Sequence, residues 1–340
     1  MKTTRRDFIS RSVLSAAGIS IGINEAISAM HTSNSSADFM NVPEILQMKN
    51  GDAFSISIFS KHLQWLNWTD MAIFAAETGF DGVDLTVRPQ GHVEPERVED
   101  DLPRAAEIVR KAGLDIYMIT TSITDAGDPL TDKILKAAGS LGIRHYRTGW
   151  LHYDENKTIE DNLCRMQQKM SELARLNEKY GISGEYQNHS GTGPGGIYFG
   201  GAIWDLSGIL KNIHSPWLGS QYDIYHATIE GANTWPVGLK LLNPYIRTLD
   251  IKDFQWLKKD GKWSAETVPL GEGMVDFKKY VGLLKTLGIS GPISIHYEYP
   301  LGGAENGAKA ITMEREQVRS AMQKDLVTLK AYLREAGLNK

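Results

Sequence analysis

A chain of 340 residues, 41% hydrophobic and 23% charged, lies in the ordinary globular range and is long enough to bury a large core, which excludes a disordered chain. A net charge of -4 with no block of like charge provides no basic field for a phosphate backbone, so nucleic acid is not expected as a partner. The single cysteine, Cys164, excludes an internal disulfide framework and a cysteine-rich zinc site. Its amphipathic surroundings read as those of a buried small apolar residue.

The N-terminal stretch carries Thr4-Arg5-Arg6-Asp7-Phe8-Ile9, an apolar segment from Val13 to Ile23, and small residues at Ala26, Ser28 and Ala29. About 11 apolar-biased residues are too few to cross roughly 30 Å of hydrocarbon, so no membrane anchor is expected. Paired arginines before Asp-Phe-Ile resemble a twin-arginine export signal, an address read by a receptor. That resemblance implies a signal peptide over residues 1–30, folding before export and a periplasmic destination. Residues 31–50, rich in Ser and Asn from His31 to Asp38, read as a linker, and residues 51–340 as one domain.

Beyond Gly51, short β-rich runs alternate with amphipathic segments of helical period. The predicted strands are Ala53 to Phe59, Gly82 to Val87, Asp115 to Ser122, Ile143 to Thr148, Ile182 to His189, Leu218 to Tyr225, Tyr245 to Lys252 and Pro292 to Tyr299. Helical segments include Trp68 to Thr78, Val98 to Ala112, Lys133 to Leu141, Thr158 to Tyr180 and a closing helix from Met313 to Glu335. Eight strand-helix units in one core predict an α/β fold of the (β/α)8 TIM-barrel type. An open doubly wound sheet would carry fewer strands and a dinucleotide fingerprint, and no G-x-G-x-x-G opens a helix after the first strand.

Residues two apart share a face of a strand, and in a small barrel one face points inward. That interior is ordinarily filled with branched apolar side chains. Four late strands depart from this: Glu185, Gln187 and His189 share a face, as do Gln221 and Asp223, Thr248, Asp250 and Lys252, and Ser294, His296 and Glu298. Burying such groups unpaired is expensive, so they call for mutual partners, water or a cation. They converge on the strand ends where barrel enzymes carry out their chemistry.

Gly79-Phe80-Asp81-Gly82-Val83-Asp84, Tyr186-Gln187-Asn188-His189, Asp223-Ile224-Tyr225-His226, Asp250-Ile251-Lys252-Asp253 and Ile293-Ser294-Ile295-His296-Tyr297-Glu298 resemble, in order and spacing, the sugar isomerase and epimerase group of the xylose-isomerase-like barrels. The resemblance covers roughly residues 53–335. It implies a divalent metal, held in the group by Glu, Asp, His and Glu, at the positions of Gln187, Asp223, Asp250 and His296. Two carboxylates, an imidazole and an amide oxygen suit Mn²⁺, Mg²⁺ or Zn²⁺ without selecting among them. Glu185 or Glu298 would restore the third negative charge. A metal-free polar site and a site that retains only the fold stay open.

The resemblance further implies proton removal next to a sugar carbonyl. The group's two metal-binding glutamates move the protons there; here Gln187 cannot accept one and His296 would be engaged with metal. Glu298 and Glu185 are therefore the expected acid/base groups, with His226 and His189 as alternatives. His226 also matches the group's substrate-contacting histidine. Arg147, His189, Lys252, His62 and His92 fall at the same end and are expected to bind a polyhydroxylated substrate, and six glycines between Gly191 and Gly201 resemble a substrate-covering loop. The expected partner is a small carbohydrate. An isomerase or epimerase, a lyase acting on a 3-keto-glycoside by elimination across C1 and C2, and a carbohydrate-binding protein without turnover are the three readings. A DNA-repair endonuclease of related fold is opposed by the acidic charge and the export signal.

Overall fold

The computed structural model describes Pro43 and residues 54–338, so the predicted signal peptide and nearly all of the linker lie outside the described residues. Its strands are β1 (Phe54–Phe59), β2 (Gly82–Val87), β3 (Asp115–Thr121), β4 (His145–Arg147), β5 (Ser183–Gln187), β6 (Thr192–Gly193), β7 (Gly196–Ile197), β8 (Leu218–Asp223), β9 (Ile246–Ile251), β10 (Asp253–Lys259), β11 (Lys262–Val268) and β12 (Gly291–Ile295). A closed parallel barrel runs in the order β1-β12-β9-β8-β5-β4-β3-β2, with helices between successive strands. The predicted (β/α)8 barrel is therefore the observed one. Two antiparallel hairpins, β6–β7 and β10–β11, extend from the connections after β5 and β9.

Alternation explains the barrel's two faces. Along β1 and β12, Ile56, Ile58, Ile293 and Ile295 are fully buried or nearly so, as are Leu102, Leu173 and Leu329 on the helices. Burial of each such side chain is worth about 1.5–3 kcal/mol, so the apolar layer between strands and helices holds the fold. Between these residues Ser57 and Ser294 lie opposite each other in register, and the Ser294 hydroxyl donates to Asp84 Oδ2 at 2.8 Å. Gln221 Nε2 on β8 comes within 3.8 Å of Met118 Sδ on β3, reaching across the barrel interior. The inward set is thus unusually polar, as its residue types predict.

The ends of the helices follow from local chemistry. Asn67 accepts the Asp70 amide at 3.0 Å to start Trp68–Thr78, which stops where Gly79 takes φ 97°, a conformation open to glycine. Pro129 at the first turn and Asp128 as cap start the next-but-one helix four residues before the predicted Lys133. Predicted strand ends ran too far in β5, β8 and β12 because side-chain alternation outlasts the hydrogen-bonded ladder. After β8, Asp223 caps a helix by accepting the His226 amide at 3.2 Å, so Tyr225 is helical rather than extended. Cys164 is exposed on helix Ile159–Tyr180, which corrects the expectation that it is buried. Among the described residues no helix is long and apolar enough to cross a membrane.

One buried acid away from the strand ends gives a pH test of the packing. Asp325, on the closing helix Arg315–Glu335, is 2% exposed and accepts a hydrogen bond from Tyr299 Oη at 3.0 Å. Burial pushes its carboxyl up to about 7, with the Tyr299 bond opposing. A folded value above the unfolded one adds stability that is complete below about 4 and is lost as pH rises through 7. The wild type should therefore lose on the order of 2–4 kcal/mol relative to Asp325→Asn between pH 4 and pH 8. Denaturant melts at the two pH values measure this; a pH-independent difference would contradict it.

Candidate active site

The C-terminal ends of β5, β8, β9 and β12 place one continuous polar network. Gln187, the last residue of β5, donates from Nε2 to Asp223 Oδ2 at 2.9 Å and to Asp250 Oδ2 at 2.5 Å, while its Oε1 accepts from Arg147 Nη1 at 3.1 Å. Reversing the amide would set its oxygen against two carboxylates and its NH2 against a guanidinium, so the network fixes the orientation. Gln221 Nε2 donates to Asp250 Oδ1 at 2.7 Å, and His296 Nε2 lies 3.3 Å from the same oxygen. One layer deeper, Asp84 on β2 accepts from Thr120 and Ser294. Burial raises the carboxyls of Asp223 to about 6 and of Asp250 and Asp84 to about 7; Lys252 opposes this at Asp223, Arg147 and Lys252 at Asp250, and the Ser294 bond at Asp84.

Lys252, one residue past β9, is the hub of the mouth. Its Nζ lies 3.3 Å from Asp223 Oδ2, 3.2 Å from Glu298 Oε2 and 2.9 Å from His226 Nε2. Burial disfavours its charge, yet Asp223 and Glu298 outweigh that and hold it above the ordinary lysine value. Glu298 is the most open of these groups, its side chain 30% exposed, and Lys61 Nζ approaches its other oxygen at 3.4 Å. Burial works to raise its carboxyl, but Lys252 and Lys61 prevail and keep it ionised well below the carboxylate range.

The histidines are held neutral. Burial, reinforced by the Lys252 charge, takes His226 and His296 well below the ordinary imidazole value, and His189 is lowered to about 3 for the same reasons. With Lys252 donating to His226 Nε2, the Nδ1 proton of His226 is directed to Ser190 Oγ at 2.8 Å. His189 lies against His226 with ring centroids 3.8 Å apart and the planes tilted by 36°, and meets Trp150 and Tyr198 edge-on. Tyr198 follows the β6–β7 hairpin, so the glycine-rich segment brings its ring against His189.

The expected residues therefore separate into two sets. Gln187, Asp223, Asp250, His296, Lys252, Glu298, His226, His189 and Arg147 come together at one end of the barrel. Glu185 does not join them: it is fully buried two residues below Gln187, accepts from His145 Nδ1 at 3.0 Å and the Tyr146 amide at 3.1 Å, and has Arg247 nearby. A carboxylate whose two oxygens are spent on these partners is not placed to reach substrate, which corrects its reading as an acid/base group. His62 uses Nδ1 on Ala304 O at 3.2 Å and Nε2 on the Tyr297 amide at 3.0 Å. His92 likewise contacts Thr86 Oγ1 at 3.3 Å and Leu63 O at 3.2 Å. Both tie loops to strand ends and leave no ring nitrogen for a substrate. Lys61, Asp84 and Gln221 had less prominence in the sequence. Asp84 shares its face with Thr86, the signal that could have found it, whereas Lys61 lies past a strand end where alternation gives no direction.

The same geometry tests the divalent metal. A cation would need carboxylate and imidazole atoms converging at roughly 2.0–2.2 Å. Instead the inner oxygens of Asp223 and Asp250 bond to the Gln187 amide, which presents hydrogens rather than a lone pair to that space. The Lys252 ammonium already borders that space, 3.3 Å from Asp223 Oδ2, and neutralises the carboxylate a cation would take. Among the described residues no three His, Cys, Asp or Glu side chains form a group that could hold a metal ion. The expectation that Gln187, Asp223, Asp250 and His296 are its ligands does not fit this donor set.

Eight parallel strands, helices around them and a charged cluster at the strands' C-terminal ends define a barrel built to present a polar site at that face. Residues 73–323 match the family model described as xylose isomerase-like TIM barrel, and the chain belongs to that family. None of the curated proteins compared with the chain matches it. Among solved structures, the barrel is similar to D-psicose 3-epimerase from Clostridium cellulolyticum H10, solved with D-tagatose, with a TM-score of 0.61, 12% identity and coverage of 82% of this chain and 99% of that one. It is also similar to the E. coli 3-keto-D-glucoside 4-epimerase, with a TM-score of 0.59, 12% identity and coverage of 82% and 99%. A D-tagatose 3-epimerase-like protein gives 0.61, 19% identity and coverage of 83% and 98%. At these identities the likeness establishes the fold; these neighbours are sugar epimerases or resemble one.

Proposed function

We propose that the protein is a carbohydrate epimerase or isomerase that removes a proton next to a carbonyl of a sugar or keto-sugar. The observation that carries this is Glu298, a carboxylate 30% exposed at the mouth and 3.2 Å from Lys252 Nζ. Glu298 takes the proton, the C–H electron pair becomes the new C=C bond, and the carbonyl π pair moves onto oxygen. As Glu298 is protonated, the Lys252 hydrogen it had accepted turns to that oxygen, whose charge grows in the transition state, so its attraction is differential and lowers the barrier. Return of the proton by Glu298 to the neighbouring carbon completes isomerisation; in epimerisation Glu298 passes its proton to solvent, and a solvent proton delivered to the opposite face of the same carbon inverts it. His189 and Arg147 line the same mouth and supply imidazole and guanidinium contacts for hydroxyl groups, while His226, with both ring nitrogens engaged, holds Lys252 and Ser190. The sugar epimerases among the structural neighbours support the substrate class.

Incubation in D2O with free ketoses, aldoses and 3-keto-glycosides, followed by proton NMR, should show deuterium entering a carbon next to the carbonyl. No exchange on any of them would favour a binding protein without turnover. The 3-keto-D-glucoside 4-epimerase among the neighbours lends weight to keto-glycosides, on which the same proton removal at C2 can expel the C1 substituent. Release of the free C1 group would identify that lyase reaction. We also propose that the chain is exported to the periplasm, on the strength of Arg5 and Arg6 before the apolar stretch. Replacing both by Lys should hold the protein in the cytoplasm on fractionation; unchanged export would contradict it.

A further inference from the structure

We propose that the Lys252 ammonium stands where a divalent cation would otherwise be required, so that proton removal in this barrel proceeds without a metal. The inference rests on the epimerase or isomerase reading and adds what carries the charge on the substrate oxygen.

Three observations support it. First, Nζ has three hydrogens and three partners, Asp223 Oδ2, Glu298 Oε2 and His226 Nε2, all within 3.3 Å. Carboxylate oxygens and a neutral imidazole nitrogen are the donors a small cation takes, and here they close on an ammonium. Second, the Gln187 amide bridges Asp223 and Asp250 from the other side, so the inner lone pairs of both aspartates are already engaged by hydrogens. Third, the positive charge of the site is complete without an ion. Lys61 faces Glu298, and Arg147 reaches Gln187 while lying over the Trp150 ring at 4.5 Å. A buried lysine held charged by two carboxylates is a fixed, preorganised cation beside the only one of those carboxylates that is open enough to meet a substrate. In the step, Lys252 keeps its three protons: as Glu298 takes the carbon-bound proton and loses its charge, the ammonium hydrogen it had accepted turns to the enediolate oxygen, and it returns to Glu298 when carbon is reprotonated.

Wild-type protein is incubated with excess Mn²⁺ or Zn²⁺, desalted and assayed for metal, and its deuterium exchange is measured with and without EDTA. The expected result is far less than one metal per chain and exchange unaffected by EDTA. Lys252→Met, checked for folding by circular dichroism, should lose exchange and take up one Mn²⁺ or Zn²⁺, because Asp223 and Glu298 are left without their cation. If that variant does not fold, Lys252→Gln is titrated in its place. One tightly held metal per wild-type chain, or exchange abolished by EDTA, would overturn the proposal, as would a folded Lys252 variant that takes up no metal. Metal uptake is read without turnover, so absence of exchange on every sugar would sink the epimerase reading while the titrations still decide whether the lysine excludes the ion.

Discussion

Glu298→Gln is expected to lower turnover on an accepted sugar by about 10² to 10⁴, the usual contribution of a positioned general base, with a much smaller change in KM. The side chain keeps its shape and its contact with Lys252 through the amide oxygen but loses the lone-pair basicity that accepts a proton. The same variant should cease to introduce solvent deuterium at the carbon next to the carbonyl. Its fold should persist, because Asp223 still neutralises Lys252 and the Glu298 side chain is partly exposed. Full exchange by the variant would transfer proton removal to another group at the mouth, such as His189 or His296, whose Nδ1 lies 4.0 Å from Glu298 Oε1.

The barrel was legible because its strands obey a period of two and its helices a period near four, and both survive in the residues themselves. Ile56, Ser57 and Ile58 or Ile293, Ser294 and Ile295 announce one apolar and one polar face before any coordinates exist. The inward direction of Gln187, Asp223, Asp250 and His296 followed from the same rule, and the contacts among them show that it held. Depth along the barrel was not legible. Glu185 and Gln187 share a face, yet one side chain is sealed beside His145 and the other meets two aspartates near the mouth, a difference set by where neighbouring strands end. Nor does residue type reveal what fills the space between two carboxylates. Asp223 and Asp250 read as cation ligands until the Gln187 amide is seen between them and Lys252 is found bonded to Asp223.

The contrast between the two glutamates gives the second large effect. Glu185→Ala is expected to cost about 2–6 kcal/mol of stability, roughly 1–3 kcal/mol for each of two buried donors left without its acceptor. The loss arises at both oxygens: His145 Nδ1 and the Tyr146 amide are left without acceptors, and no water-filled mouth lies beside them to compensate. Burial already holds the Glu185 carboxyl above its ordinary value, with His145 opposing, so the charge is tolerated there only because its partners are fixed. For a domain of this size such a loss lowers Tm by on the order of 10 °C. The fraction that stays folded should keep its exchange rate within a few-fold, since Glu185 bonds to no member of the Lys252 cluster. Thermal melts and exchange assays on the same preparation separate the two roles: a variant that melts like the wild type but exchanges at least a hundredfold more slowly would return Glu185 to the substrate and displace the structural role assigned to it.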